Sequence, residues 1–115
     1  MPNRVAEIDA FQAALIKGLA NASRLRVIGV LARGPLDVNG LARELGLAQA
    51  AVSQHLSAMR SVGLVTARRD GRIVRYEVAD PGILAACELV RGVIDRRVAV
   101  ARTHVVTAPS QVIHA

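Results

Sequence analysis

Between Gln49 and Arg60 the chain interleaves three apolar residues, Val52, Leu56 and Met59, with a run of short polar side chains. The apolar three recur at spacings of four and three, so on a helix they share one face. That leaves Gln49, Ser53, Gln54, Ser57 and Arg60 pointing outward, with His55 beside Ser53 and Gln54 near the middle. A glutamine amide can pair with the adenine edge through two hydrogen bonds, and serine or histidine can contact bases or phosphates. A helix that is apolar behind and polar in front has what is needed to enter the major groove of a duplex. A second group lies nearby: Arg68, Arg69, Arg72 and Arg75 flank Asp70 and Gly71. Four cations on one slim ribbon repel each other and gain nothing for folding. Phosphate contacts, or an arginine in the minor groove, would account for them.

Other chemistries are poorly supplied. No paired carboxylates, nucleophile triad or glycine-rich phosphate loop occurs, so catalysis is not expected. One cysteine, Cys87, can form neither an intrachain disulfide nor a thiolate cluster; its place on an apolar stripe suits burial as a small hydrophobe. The first ten residues carry Glu7 and Asp9 where a signal peptide would have an apolar core, and Arg or Asp interrupts every candidate membrane span. A cytoplasmic protein without membrane contact is expected. The composition points the same way. All but Lys17 of the 15 basic residues are arginine, against 9 acidic ones, and the formal charge is +6. A planar guanidinium binds phosphate or guanine with two parallel bonds, which makes a polyanion the first partner to consider.

The elements that must hold these residues follow from the hydrophobic pattern. With 115 residues, 52% of them hydrophobic and 21% charged, the chain is long enough and apolar enough to fold as one domain. Aromatics make up only 2%, so the core must be aliphatic and thin, and a leftover apolar face would be covered most naturally by a second copy. Val5, Ile8, Phe11, Leu15 and Leu19 form one helical stripe. Asn21 can cap a second helix with Leu25, Ile28 and Leu31 inward, stopping at Gly34 and Pro35. Asp37 can cap a short third helix ended by Gly46, and the polar-faced fourth begins about three residues later. After Gly63 the period becomes alternating, from Leu64 to Arg69 and again from Arg72 to Val78, with a tight turn predicted at Asp70 and Gly71. Asp80 and Pro81 open a last helix bearing Ile83, Leu84, Cys87, Val90, Ile94 and Val98. The expected fold is mainly α with a small β-hairpin, in the order α-α-α-α-β-β-α of a winged helix-turn-helix. Residues 1–107 would form the DNA-binding and dimerisation domain and residues 108–115 a flexible tail.

The run Asn21-Ala22-Ser23-Arg24-Leu25-Arg26, then Val52-Ser53-Gln54-His55-Leu56, Gly63-Leu64-Val65, Arg69-Asp70-Gly71-Arg72 and Tyr76, resembles the ArsR/SmtB family of bacterial winged-helix regulators. The resemblance runs from Phe11 to about Val98. It implies a homodimer through the first and last helices that binds a palindromic operator on double-stranded DNA and represses until an effector binds. It assigns recognition to Ser53, Gln54 and His55 and the wing to Arg68 through Arg75.

The family's effector sites match less well. Where its thiolate sensors have Cys-Val-Cys, this chain has Asp37-Val38-Asn39, and of the zinc-type positions in the last helix only Asp80 matches, Gly82, Val93 and Arg96 occupying the others. His104 and His114, with Asp95 nearby, are what remains for nickel or another divalent transition metal, since neutral imidazole suits such ions. The expectation is a sequence-specific DNA-binding transcriptional regulator, a repressor, responsive to a metal such as nickel. Two alternatives stay open: a winged helix used as a protein-interaction module, or a DNA-binding regulator without its own metal site that acts with an accessory protein.

Overall fold

A computed structural model describes residues 3 to 103. They fall into two units, one reaching Leu84 and the other starting at Ala85.

The first unit holds four helices and a hairpin: α1 (Arg4–Leu19), α2 (Ala22–Leu31), α3 (Val38–Leu45), α4 (Gln49–Ser61), β1 (Val65–Asp70) and β2 (Ile73–Val78). Each of the first three helices starts where a side chain satisfies an otherwise unpaired backbone N–H. Asn3 Oδ1 accepts from the Val5 amide at 3.0 Å, Asn21 Oδ1 from Arg24 at 3.2 Å and Asp37 Oδ1 from Gly40 at 2.8 Å. The caps expected from sequence at Asn21 and Asp37 both form, and at the expected Asp80 cap Oδ1 accepts from the Gly82 amide at 2.7 Å.

The core is the meeting of α2, α3 and α4 with the start of the hairpin. Val27, Ile28 and Leu31 come from α2, Leu41, Ala42 and Leu45 from α3, Val52, Leu56 and Met59 from α4, and Leu64 and Val65 from the entry to β1, all buried. Ile83, in the first turn of the last helix, α5 (Pro81–Thr103), is buried too. No aromatic residue contributes a buried side chain: Phe11 is 74% exposed and Tyr76 half-buried.

Two apolar stripes differ from expectation. Leu25 is 47% exposed, because α2 turns Val27 and Ile28 to the core instead. On α1 only Leu15 and Leu19 are half-buried, while Val5, Ile8 and Phe11 stay exposed. The cause is visible at Gly18, where a Cβ would stand 2.7 Å from Val62 Cγ2 and 3.1 Å from Leu64 Cδ1. Only the C-terminal end of α1 presses against the unit, and it does so with a residue that lacks a side chain.

The hairpin turn also differs, by one residue. β1 and β2 pair antiparallel with Val65 opposite Val78, Ala67 opposite Tyr76 and Asp70 opposite Ile73. Asp70 is therefore the last paired residue, and the two-residue loop is Gly71-Arg72 rather than Asp70-Gly71. Gly71 has φ +64 and no described non-glycine residue has positive φ, so the loop needs glycine at its first position only. A further pairing ties the hairpin to the helices. Leu36, just before α3, bridges Tyr76: its amide donates to the Tyr76 carbonyl at 3.1 Å, and the Tyr76 amide donates back at 2.8 Å.

In the second unit, α5 continues from Ala85 to Thr103. Cys87 is half-buried, whereas Leu89, Val90, Ile94, Val98 and Val100 are exposed. No described helix is long and apolar enough to cross a membrane.

Candidate nucleic-acid interface

The third and fourth helices carry the candidate site because α3 is short, strongly two-faced and docked behind α4. Its buried Leu41, Ala42 and Leu45 meet the fully buried Val52, Leu56 and Met59. With that side of α4 held, Gln49, Ser53, Gln54, Ser57 and Arg60 are all exposed. Ser53 and Ser57 lie one turn apart on the same line, and Gln54 flanks them. His55 stands apart from this group. It is half-buried, about 100° around the helix from Gln54, and its Nδ1 accepts a hydrogen bond from Arg24 Nε at 3.3 Å.

Register divides the wing arginines. Arg68 lies directly opposite Arg75, and Arg69 opposite Val74 on the other face of the ribbon, with Arg72 in the loop. Like charges directly opposite across a strand pair are destabilising, and all four arginines are exposed. Among the described residues the one ion pair is Arg33–Glu44 at 3.2 Å, so no described carboxylate lies within ion-pair distance of these cations, although Asp70 and Glu77 share the ribbon face of Arg68 and Arg75. Arg68, Arg69 and Arg75, with Pro35 and Asp70, line a shallow hollow open to solvent.

Two arginines of α2 matter here although their roles were not legible in sequence. Arg24 reaches both His55 and the Gly18 carbonyl, and Arg26 Nη2 donates to the Leu45 carbonyl at 3.2 Å at the end of α3. Their partners are 31, 6 and 19 residues away, beyond any local spacing rule.

The profile of bacterial regulatory proteins of the arsR family matches residues 21–67, from the cap of α2 into β1. The nodulation protein NolR of Rhizobium meliloti is 33% identical over 84 residues, covering 73% of this chain and 69% of NolR. This chain belongs to the arsR family. The HTH-type transcriptional regulator NmtR of Mycobacterium tuberculosis is 41% identical over 68 residues, 59% of this chain, which spans a little over half (57%) of NmtR. Among solved structures, the homodimeric winged helix-turn-helix DNA-binding domain Mb0332 of Mycobacterium bovis superposes with a TM-score of 0.76 at 34% identity, covering 83% of this chain and 88% of that one. As an arsR-family protein the chain is a transcriptional regulator with a DNA-binding winged helix-turn-helix, and not an enzyme. In the terms of that fold, α3 and α4 are the helix-turn-helix and β1-β2 the wing.

The family's metal chemistry meets a limit in the donor set. No group of three or more His, Cys, Asp or Glu that could hold a metal ion occurs among the described residues. Cys87, whose thiol is raised by desolvation, is a half-buried protonated side chain rather than a ready thiolate. His104 and His114 lie outside the described residues.

Proposed function

We propose that this regulator is a homodimeric repressor that reads a palindromic operator with α4 and grips the adjacent phosphates with the wing. Gln54, Ser53 and Ser57 would face base edges in the major groove, Gln49 and Arg60 its margins, and Arg68, Arg69, Arg72 and Arg75 the backbone. His55 would meet the DNA from the flank of α4. One observation carries this assignment: the exposed polar line on α4 is backed by three fully buried residues, so its side chains are aimed outward by the core itself. The exposed wing arginines, without an ion-pair partner among the described residues, support it.

A second copy is the natural cover for the apolar residues each unit exposes, Val5, Ile8 and Phe11 on α1 and Val90, Ile94 and Val98 on α5. Two copies would present two α4 helices to successive half-sites. A protein of this design works in the cytoplasm, where the DNA is.

The test is selection of bound duplexes from a randomised library, followed by titration of the Gln54→Ala and Arg72→Ala variants. Gln54→Ala should lose discrimination at one position per half-site, on the order of 1 to 3 kcal/mol. Arg72→Ala should weaken all duplexes alike and flatten the salt dependence. The reverse pattern would refute the roles, and absence of salt-dependent binding to any duplex would favour a protein-interaction module. Titrating nickel with and without the selected duplex tests the tail histidines, because a sensor requires metal and DNA to change each other's affinity reciprocally. Absence of coupling leaves a regulator that acts through its abundance or an accessory protein.

A further inference from the structure

We propose that Arg24 is a positioning residue for the reading helix, setting α4 through His55 without touching DNA itself. The proposal rests on the reading of α4 as the base-contacting element.

Arg24 lies in the first turn of α2, half-buried, and its single planar guanidinium makes two bonds to two other helices. Nε donates to Nδ1 of His55 on α4 at 3.3 Å, and Nη1 donates to the carbonyl of Gly18, in the last turn of α1, at 3.2 Å. The second contact falls where α1 already presses on the residue that ends α4, since a Cβ at Gly18 would meet Val62 at 2.7 Å. One rigid fork therefore joins the end of α1, the start of α2 and the middle of α4.

α4 needs such a tie because it lacks a local one. Its N-cap is Ala48, which makes no side-chain capping bond, whereas α1, α2 and α3 are each capped by Asn or Asp. The apolar residues behind α4, Val52, Leu56 and Met59, set its depth and its broad orientation. His55 adds a directional contact on the flank, which holds that orientation more narrowly.

The chemistry makes the contact selective. A guanidinium is donor-only and stays protonated, so the ring nitrogen facing it must hold a lone pair. The contact therefore favours the His55 tautomer with its proton on Nε2 over the one with its proton on Nδ1. Loss of Arg24 releases the ring, lets both tautomers exchange and loosens the flank of α4 beside Ser53, Gln54 and Ser57. Such a loss blunts discrimination between duplexes while leaving the phosphate contacts of the wing intact.

The experiment uses the full chain and the duplex recovered from the randomised library, with single-base variants of it. In the wild type, nitrogen-detected NMR of the imidazole should show Nδ1 unprotonated and Nε2 protonated. Arg24→Gln should move both nitrogens toward the averaged position and reduce discrimination about tenfold at an unchanged salt slope. Arg24→Lys, a point charge that can reach one partner but not both, should fall between. His55→Phe should reproduce the loss, and adding Arg24→Gln to it should cost nothing more. The proposal is overturned if the wild-type ring carries its proton on Nδ1, if Arg24→Gln keeps full discrimination, or if the two losses add. Should Arg24→Gln fail to fold, the wild-type tautomer and the Arg24→Lys discrimination decide. A wild type that discriminates while Arg24→Gln matches it refutes the positioning role alone; a wild type indifferent to sequence refutes the reading of α4 itself.

Discussion

Replacing Arg75 by threonine should make the protein hold DNA less well and fold no worse. Arg75 pairs directly with Arg68 across the hairpin, both exposed, with no carboxylate in ion-pair range. Two unit charges ~7 Å apart repel by about 0.6 kcal/mol at the dielectric of water, and salt with a Debye length of about 8 Å roughly halves this. Threonine also suits a strand at least as well as arginine. Asp70 and Glu77 share that face and attract Arg75 by a similar amount, so the net change is close to zero and the melting temperature should stay within about 2 °C of the wild type in a domain of this size. The effect on DNA is larger. Each phosphate contact contributes about 0.9 to the slope of log affinity against log salt, so two copies losing one contact each lower the slope by about 1.8. Between roughly 50 and 200 mM salt, the affinity gap between wild type and variant should then narrow about tenfold. Anisotropy titration of a labelled duplex over that range, beside thermal melts followed by circular dichroism, measures both. A melting temperature several degrees lower with an unchanged salt slope would mean that the arginines serve the hairpin, and the assignment of the wing would be wrong.

Three other substitutions or conditions probe the scaffold. Gly18→Ala gains helix propensity worth about 1 kcal/mol but must push aside the stiff Val62 side chain, an overpacking cost of about 1 to 3 kcal/mol, so chemical denaturation should register a net loss of up to ~2 kcal/mol. Leu56→Ala, at a fully buried position behind the reading face, should cost about 2 to 5 kcal/mol in the same assay and reduce binding in proportion to the folded fraction lost. Burial raises the Cys87 thiol, so its alkylation at mildly alkaline pH should lag behind that of free cysteine. Because the unfolded chain ionises first, stability present at neutral pH should decline as pH climbs past the ordinary thiol range; faster alkylation than free cysteine would contradict this.

Spacing along the chain was enough to determine the order of helices and strands, the caps at Asn21 and Asp37, the inward set Val52, Leu56 and Met59, and the outward set on α4. These depend on neighbours within a turn or two, and local periodicity reports such neighbours directly. The family resemblance was carried by the same segments. Where the pattern misled, a longer-range contact had intervened. Leu25 fits an inward stripe by spacing, yet α2 rotates to bury Val27. Val5, Ile8 and Phe11 continue the line of Leu15 and Leu19, yet only the far end of α1 reaches the core, at a glycine. Asp-Gly signals a hairpin turn, but the bridge of Tyr76 to Leu36 and the burial of Val65 accompany a register that moves the loop onto Gly71-Arg72.

What only the tertiary structure decided is which distant side chain stands beside the flank of α4. Ser53, Gln54 and His55 are adjacent in sequence, and helical spacing already sets His55 nearer the buried stripe than its two neighbours, but spacing does not say what it meets there. The fold does, because Arg24, 31 residues before His55, stands where the α4 flank passes. A donor-only group placed there by the packing of α1, α2 and α4 gives the half-buried imidazole a partner within the protein. Hydrogen bonds between distant positions follow from how helices pack, and packing is a property of the whole chain that no local spacing encodes.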